Sequence, residues 1–109
     1  MPVGETTYYL KLCSDKDTYD IGDTIHFYNC GTSSSYDIVV SGNQSLRLYI
    51  NDTLISSNFY TESFVNNGYD YVFDNEGEYV VKIEKVGGSQ LSYKTITVNE
   101  ASVGGVLCR

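Results

Sequence analysis

Tyr69-Asp70-Tyr71-Val72-Phe73-Asp74-Asn75-Glu76-Gly77-Glu78-Tyr79-Val80-Val81-Lys82-Ile83-Glu84-Lys85-Val86 is the stretch whose reading decides the fold. Tyr69, Tyr71 and Phe73 fall on one face of a first run, with Asp70 and Asp74 opposite. Tyr79, Val81 and Ile83 share a face of a second run, with Lys82 and Glu84 opposite. A period of two is what a strand with one buried face requires. Between the runs Asn75-Glu76-Gly77 turns the chain, and Gly77 accepts a positive φ at little cost. Tyr79 follows Gly77 at the spacing of a tyrosine corner, in which a Tyr at the start of a strand bonds back to the turn before it. The alternative is an ordinary hairpin with a core Tyr.

The rest of the chain agrees with this β reading. Its 109 residues suit one domain, able to bury roughly two thirds of its unfolded surface in a single modest core. Eleven Tyr, no Trp and one Pro, among many Val, Ile, Thr, Ser and Asn, favour strands and turns over helices. No helix-period segment carries caps, so the expectation is an all-β chain with essentially no helix. The formal net charge is −7, with the acids scattered. That argues against nucleic acid, which needs a basic patch, and against an anionic membrane surface. No apolar run approaches bilayer length, so no membrane span is expected. The opening Met1-Pro2-Val3-Gly4-Glu5 has neither the basic nor the apolar region of a signal peptide. The expectation is either a leader already removed or synthesis inside a cell followed by assembly, as for virion proteins. A Tyr-rich, Lys-poor composition points to an extracellular surface or a virion.

Outward from the central stretch, period-two runs recur. Thr6–Cys13 reads as one strand, with Leu10 and Leu12 on one face. An acidic connection, Ser14–Asp23, follows. Its four Asp invite a Ca²⁺ reading, but the order does not match a calcium loop, because Tyr19 stands where the fifth-position ligand would be. A solvated turn is expected instead. Thr24–Cys30 is a strand with Ile25 and Phe27 inward. Its His26 has no Cys, Asp or Ser at a recognised catalytic spacing and reads as a partly exposed strand residue. In Gly31–Ser45, Ile38-Val39-Val40 is either a short packed strand or a loop presenting Tyr36 and Ile38; packing is favoured, because an apolar triplet left in water is a liability. Leu46, Leu48 and Ile50 share a face, Asn51-Asp52 is a hairpin turn, and Thr53–Ser56 returns. Phe59–Val65 is a ragged, edge-like segment, and Asn67-Gly68 turns into the central stretch. Gly87-Gly88 turns again, and Leu91–Val98 is the last strand, with Ile96 and Val98 inward.

Seven to eight short strands with regularly spaced turns mean a sandwich or a barrel. The order Tyr19-Asp20-Ile21-Gly22-Asp23-Thr24-Ile25-His26-Phe27, Leu48-Tyr49-Ile50-Asn51-Asp52-Thr53, Tyr71 to Ile83, then Ile96-Thr97-Val98 resembles a PKD-like (polycystin-type) immunoglobulin-like domain. The match covers Tyr8 to Val98. It implies a two-sheet antiparallel sandwich over residues 1–98, followed by a Gly-rich C-terminal tail, 99–109. Leu48 stands where such domains usually carry Trp, and Val81 occupies the position of the second Cys of an antibody-type pair. The resemblance implies interaction or spacing rather than chemistry.

Three Cys leave one unpaired in any monomer. In a hairpin closing through Ser14–Asp23, Cys13 lies opposite the start of the second strand. Cys30 is then roughly 20 Å away, against the about 7 Å between Cα atoms that a disulfide tolerates. In an immunoglobulin-like sandwich the first strand can run beside the last, which brings Cys13 near Val98 and lets the tail return Cys108. Cys13–Cys108 is therefore preferred, with three free thiols as the alternative in a reducing cell. Asn43-Gln44-Ser45 and Asn51-Asp52-Thr53 are N-glycosylation acceptors if the chain is exported.

The expected function is a non-enzymatic structural or adhesion module of a surface assembly: a cell-surface fibre or adhesin, or a virion structural or decoration protein. Its expected partners are other proteins, copies of itself among them, with no cofactor and no metal. The alternative is a small binding protein or protease inhibitor acting through its loops. The contact residues expected from an immunoglobulin topology are Tyr36, Asp37 and Ile38, Asn67, and Gly87 with Gly88, clustered at one end. With one His, no phosphate loop and no Cys/His metal spacing, no enzyme chemistry is expected.

Overall fold

The structure is a computed structural model that describes residues 6–100. In chain order it contains β1 Thr7–Leu10, β2 Leu12–Ser14, β3 Thr18–Asp20, β4 Thr24–Asn29, β5 Ile38–Ser41, β6 Ser45–Ile50, β7 Thr53–Tyr60, α1 Thr61–Asn67, β8 Tyr69–Val72, β9 Gly77–Lys85 and β10 Leu91–Asn99. The strands form a five-stranded sheet, β3-β10-β9-β6-β7, a three-stranded sheet, β2-β4-β8, and a pair, β1-β5. Pairing is antiparallel except between β3 and β10, which run parallel with Tyr19 opposite Val98.

The arrangement is β-sandwich-like because the alternating runs demand it. Ile25 and Phe27 of the three-stranded sheet share one buried cluster with Leu46, Leu48, Val81, Ile83, Ile96 and Val98 of the five-stranded sheet. Each such side chain contributes roughly 1.5–3 kcal/mol by leaving water. Ile38 and Val40 are buried too, so the triplet is a packed strand, β5, set against β1. Asn51 and Asp52, at φ 48° and 67°, form the tight turn between Ile50 and Thr53; two left-handed central residues match the twist of a hairpin.

The central stretch crosses between sheets. β8 pairs with β4 and β9 with β6 and β10, so residues 73–76 are no hairpin loop. The Tyr79 hydroxyl donates to the carbonyl of Asn75 at 2.8 Å, and its ring stacks on Phe73 with centroids 4.1 Å apart. The tyrosine corner is present.

Four expectations are corrected. Thr6–Cys13 is two strands, not one: β1 pairs with β5 and β2 with β4. At the break the Asn29 side chain stands in for a strand, accepting from the Lys11 amide at 2.8 Å and donating to the Tyr9 carbonyl at 3.1 Å. The acidic connection is not a plain turn, since β3 lies within it. The segment after Phe59 is not ragged: β7 continues to Tyr60 and α1 follows, so the chain does contain a helix. At seven residues α1 is too short to display a 3.6-residue period, and Phe64 is its large apolar anchor. Its start is held by Ser63 Oγ, which accepts from the Tyr60 amide at 2.9 Å. Buried Thr61 accepts from the Gln44 amide at 3.0 Å and donates to the Gly42 carbonyl. Its end is set by Gly68, at φ 70°, where a Cβ would stand 2.4 Å from the Phe27 carbonyl oxygen.

The fourth correction is the disulfide. Cys13 bonds to Cys30, with Cα atoms 5.9 Å apart, so it is not available to Cys108, which lies outside the described residues. The error was the register. The connection does not fold back as a hairpin, because β3 leaves to join β10, and Cys13 pairs with Tyr28 rather than with the start of β4. That shift brings Cys30 to within diagonal reach.

Candidate functional site

The six expected contact residues fall into different environments. Tyr36 is exposed and its ring leans on Tyr9, with centroids 5.0 Å apart. Asp37 is an anchor. Its carboxylate accepts from Ser92 Oγ at 2.6 Å, and that same oxygen accepts from the Leu12 amide at 2.9 Å, which ties loop, β10 and β2 together. Ile38 is fully buried and offers nothing to a partner. The turn holding Gly87 and Gly88 is docked against β5: the Gln90 side chain accepts from the Val39 amide at 2.9 Å and donates to its carbonyl at 3.1 Å. Asn67 ends α1 on the β4 side, next to Gly68, which packs beneath His26. The structure thus joins the Asp37 loop to the turn after β9, whereas Asn67 belongs to the helix end.

The acidic connection is held by internal partners. Tyr19, buried, donates its hydroxyl to Asp15 and accepts from the Lys16 amide at 2.8 Å. The hydroxyl holds the Asp15 carboxyl below its ordinary range, while burial, and then the bond to Asp15, pushes the Tyr19 phenol up. Asp17 pairs with Lys94, and Asp23 accepts from the Asp20 amide at 2.9 Å. His26 makes a cross-strand pair with Asp70 and stacks on Tyr28; it is half-exposed, as a strand residue facing outward should be. Among the described residues, no three His, Cys, Asp or Glu side chains converge to hold a metal, and no pocket opens. No helix among the described residues is long and apolar enough to cross a membrane. The acceptor Asn43 receives the Glu62 amide at 3.0 Å, and Asn51 that of Val80 at 2.9 Å; both residues are exposed.

One surface was not anticipated: the outer face of the five-stranded sheet. Among the described residues, five of nine exposed large apolar side chains lie on it, namely Leu54, Tyr60, Val80, Leu91 and Tyr93. That concentration makes it a surface rather than a scatter. Its middle row runs across four strands, Leu54 opposite Tyr49, Tyr49 opposite Lys82, and Lys82 opposite Tyr93, which is 63% exposed. Lys82 and Glu84 have partners within this face. The Lys82 ammonium lies 4.7 Å from the centre of the Tyr49 ring and 3.8 Å from Asp52. The Tyr49 hydroxyl donates to Glu84 at 3.0 Å, and Arg47 stands opposite Glu84. The signal was present in the alternation: if Ile96 and Val98 point inward, Leu91 and Tyr93 fall at the positions where a solvated strand carries polar side chains.

No family model matches the chain, and no curated protein and no solved structure is significantly similar to it.

Proposed function

We propose that the chain is an immunoglobulin-like module, PKD-like in its motif order, that acts without chemistry in a protein assembly at an extracellular or virion surface. The strand order carries the reading. On this reading β2-β4-β8 would stand for strands A, B and E, and β7-β6-β9-β10-β3 for C′, C, F, G and A′, with the parallel β3–β10 pair as A′–G and α1 in place of strand D; the β1-β5 pair would be an addition to that pattern. The Tyr79 corner stands at the start of the strand that would be F. The disulfide departs from the antibody pattern, since Cys13–Cys30 joins neighbouring strands of one sheet instead of bridging the two. It supports residence in an oxidising compartment. Exposed Tyr36, Tyr60 and Tyr93 are large and amphipathic, which suits protein recognition at low entropic cost.

The test is made in the native source. A membrane-impermeant amine reagent applied to intact cells or particles should label the chain, and alkylation under denaturing conditions should find Cys13 and Cys30 protected. A chain that is unlabelled until lysis, with both thiols reduced, would sink the reading.

A further inference from the structure

We infer that Asn51 is a modification site, its side-chain nitrogen carrying an asparagine-linked oligosaccharide. The inference rests on the surface-module reading and adds a covalent modification to it. Three observations carry it.

The acceptor side chain is held by its oxygen alone. Asn51 opens the two-residue turn after β6, at φ 48°, and is exposed. Its amide donates to the Val80 carbonyl at 2.9 Å, and its Oδ1 accepts from the Val80 amide at 2.9 Å. Ile50 pairs with Val81, so Asn51 adds one more rung to the β6–β9 ladder. The positive-φ turn carries its main-chain carbonyl away, and the side-chain carbonyl takes that place. Nδ2 has no hydrogen-bond partner among the described residues. Attachment of a sugar consumes one Nδ2 hydrogen and leaves Oδ1 an acceptor, so the rung survives the modification.

The hydroxyl of the acceptor triplet is spare as well. Asn51-Asp52-Thr53 has the required pattern, with no Pro in the middle. Thr53 is exposed, and its hydroxyl bonds to no side chain or main-chain group among the described residues. The turn therefore uses Asn51 Oδ1 and leaves unused the two groups that sugar transfer requires, Nδ2 and the Thr53 hydroxyl. Asn43 is the lesser acceptor. Its Oδ1 takes both the Glu62 amide at 3.0 Å and the Thr61 hydroxyl at 3.3 Å, and Ser45 of its triplet lies within β6, half-buried.

The disulfide supplies the compartment. Cys13–Cys30 forms where conditions are oxidising, on the same export route along which asparagine-linked sugars are added. The co-reactant is an oligosaccharide carried on a lipid pyrophosphate. Nδ2 forms a bond to the anomeric carbon of the first sugar. The bond from that carbon to the pyrophosphate oxygen breaks, the lipid pyrophosphate leaves with the electron pair, and one Nδ2 proton passes to a base of the transferase.

Mass spectrometry of the chain purified from its native source tests this. Trypsin cleaves after Arg47 and Lys82, so the fragment 48–82 holds Asn51 apart from Asn43. That fragment is expected to be heavier than its sequence by the mass of a glycan, with fragmentation placing the sugar on Asn51. Thr53→Ala, expressed in the same cells, is expected to abolish the glycan at Asn51 with the circular dichroism spectrum unchanged. A fragment 48–82 at its sequence mass overturns the inference, whatever Asn43 carries. So does a Thr53→Ala chain that keeps the glycan. An unmodified Asn51 in a surface-labelled chain with Cys13 and Cys30 protected would leave the surface-module reading standing; a reduced chain, unlabelled until lysis, would remove both.

Discussion

Two tyrosines show how much a hydroxyl contributes when its surroundings differ. Tyr79 closes the corner between the sheets, but its bond to Asn75 lies at the surface, where water can replace it. Tyr79→Phe is therefore expected to lower stability by only about 0.5–1 kcal/mol, read as a shift of the urea midpoint; the Phe73 stack is kept. Tyr19 is buried, and its hydroxyl is shared with Asp15. The Asp15 carboxyl is held low in the folded chain, so its contribution is present above about pH 4, the unfolded value, and is lost as pH falls through the lower folded one. The Tyr19 phenol is raised, so its contribution is complete below about pH 10 and is lost as pH rises through the folded value. Tyr19→Phe removes the shared proton. Its thermal midpoint is expected to fall less steeply than the parent's at both ends of the pH range, from a lower plateau. Parallel curves for the two proteins would show that the pair does not couple to folding.

At the scale of elements, the two features that the alternation could not announce are a staple and a stop. The disulfide closes a loop of 17 residues' separation between β2 and the end of β4. Chain entropy puts its stabilisation at about 3 kcal/mol. Replacing Cys13 and Cys30 together by Ser is expected to lower the unfolding free energy by about that amount, with the sheets retained. Gly68 ends α1 at a positive φ of 70°, which side chains rarely adopt, and lies against the Phe27 carbonyl. Gly68→Ala adds backbone strain and a 2.4 Å clash, so a loss of about 3 kcal/mol or more is expected in denaturant titration. A near-neutral Ala would mean that α1 can shift away from β4 without cost.

At the scale of the molecule, strands dominate the described residues, and the helix contributes seven of them. The far-UV circular dichroism spectrum is expected to be that of a β protein; a dominant helical signature would contradict the fold. The ledger of faces matters more for function. The inner faces meet in one core, whereas the outer face of the larger sheet leaves aromatic and aliphatic side chains in water.

Local chemistry determined most of the β architecture from the sequence alone. Period-two alternation located the inward residues of β4, β6, β9 and β10, Asn51-Asp52 located a hairpin turn, and Gly77-x-Tyr79 located the corner. Each of these is written in residues close together in the chain. Partner choice is not. That β1 and β2 part at Lys11, that β3 joins β10, and that Cys13 therefore faces Tyr28 depend on contacts among segments far apart in sequence. The one-residue patch by Asn29 is likewise a product of assembly. So is the candidate surface: Leu54, Tyr49, Lys82 and Tyr93 come from four strands, and only their register sets them in one row. Periodicity says which way a side chain points; only tertiary pairing says what stands beside it.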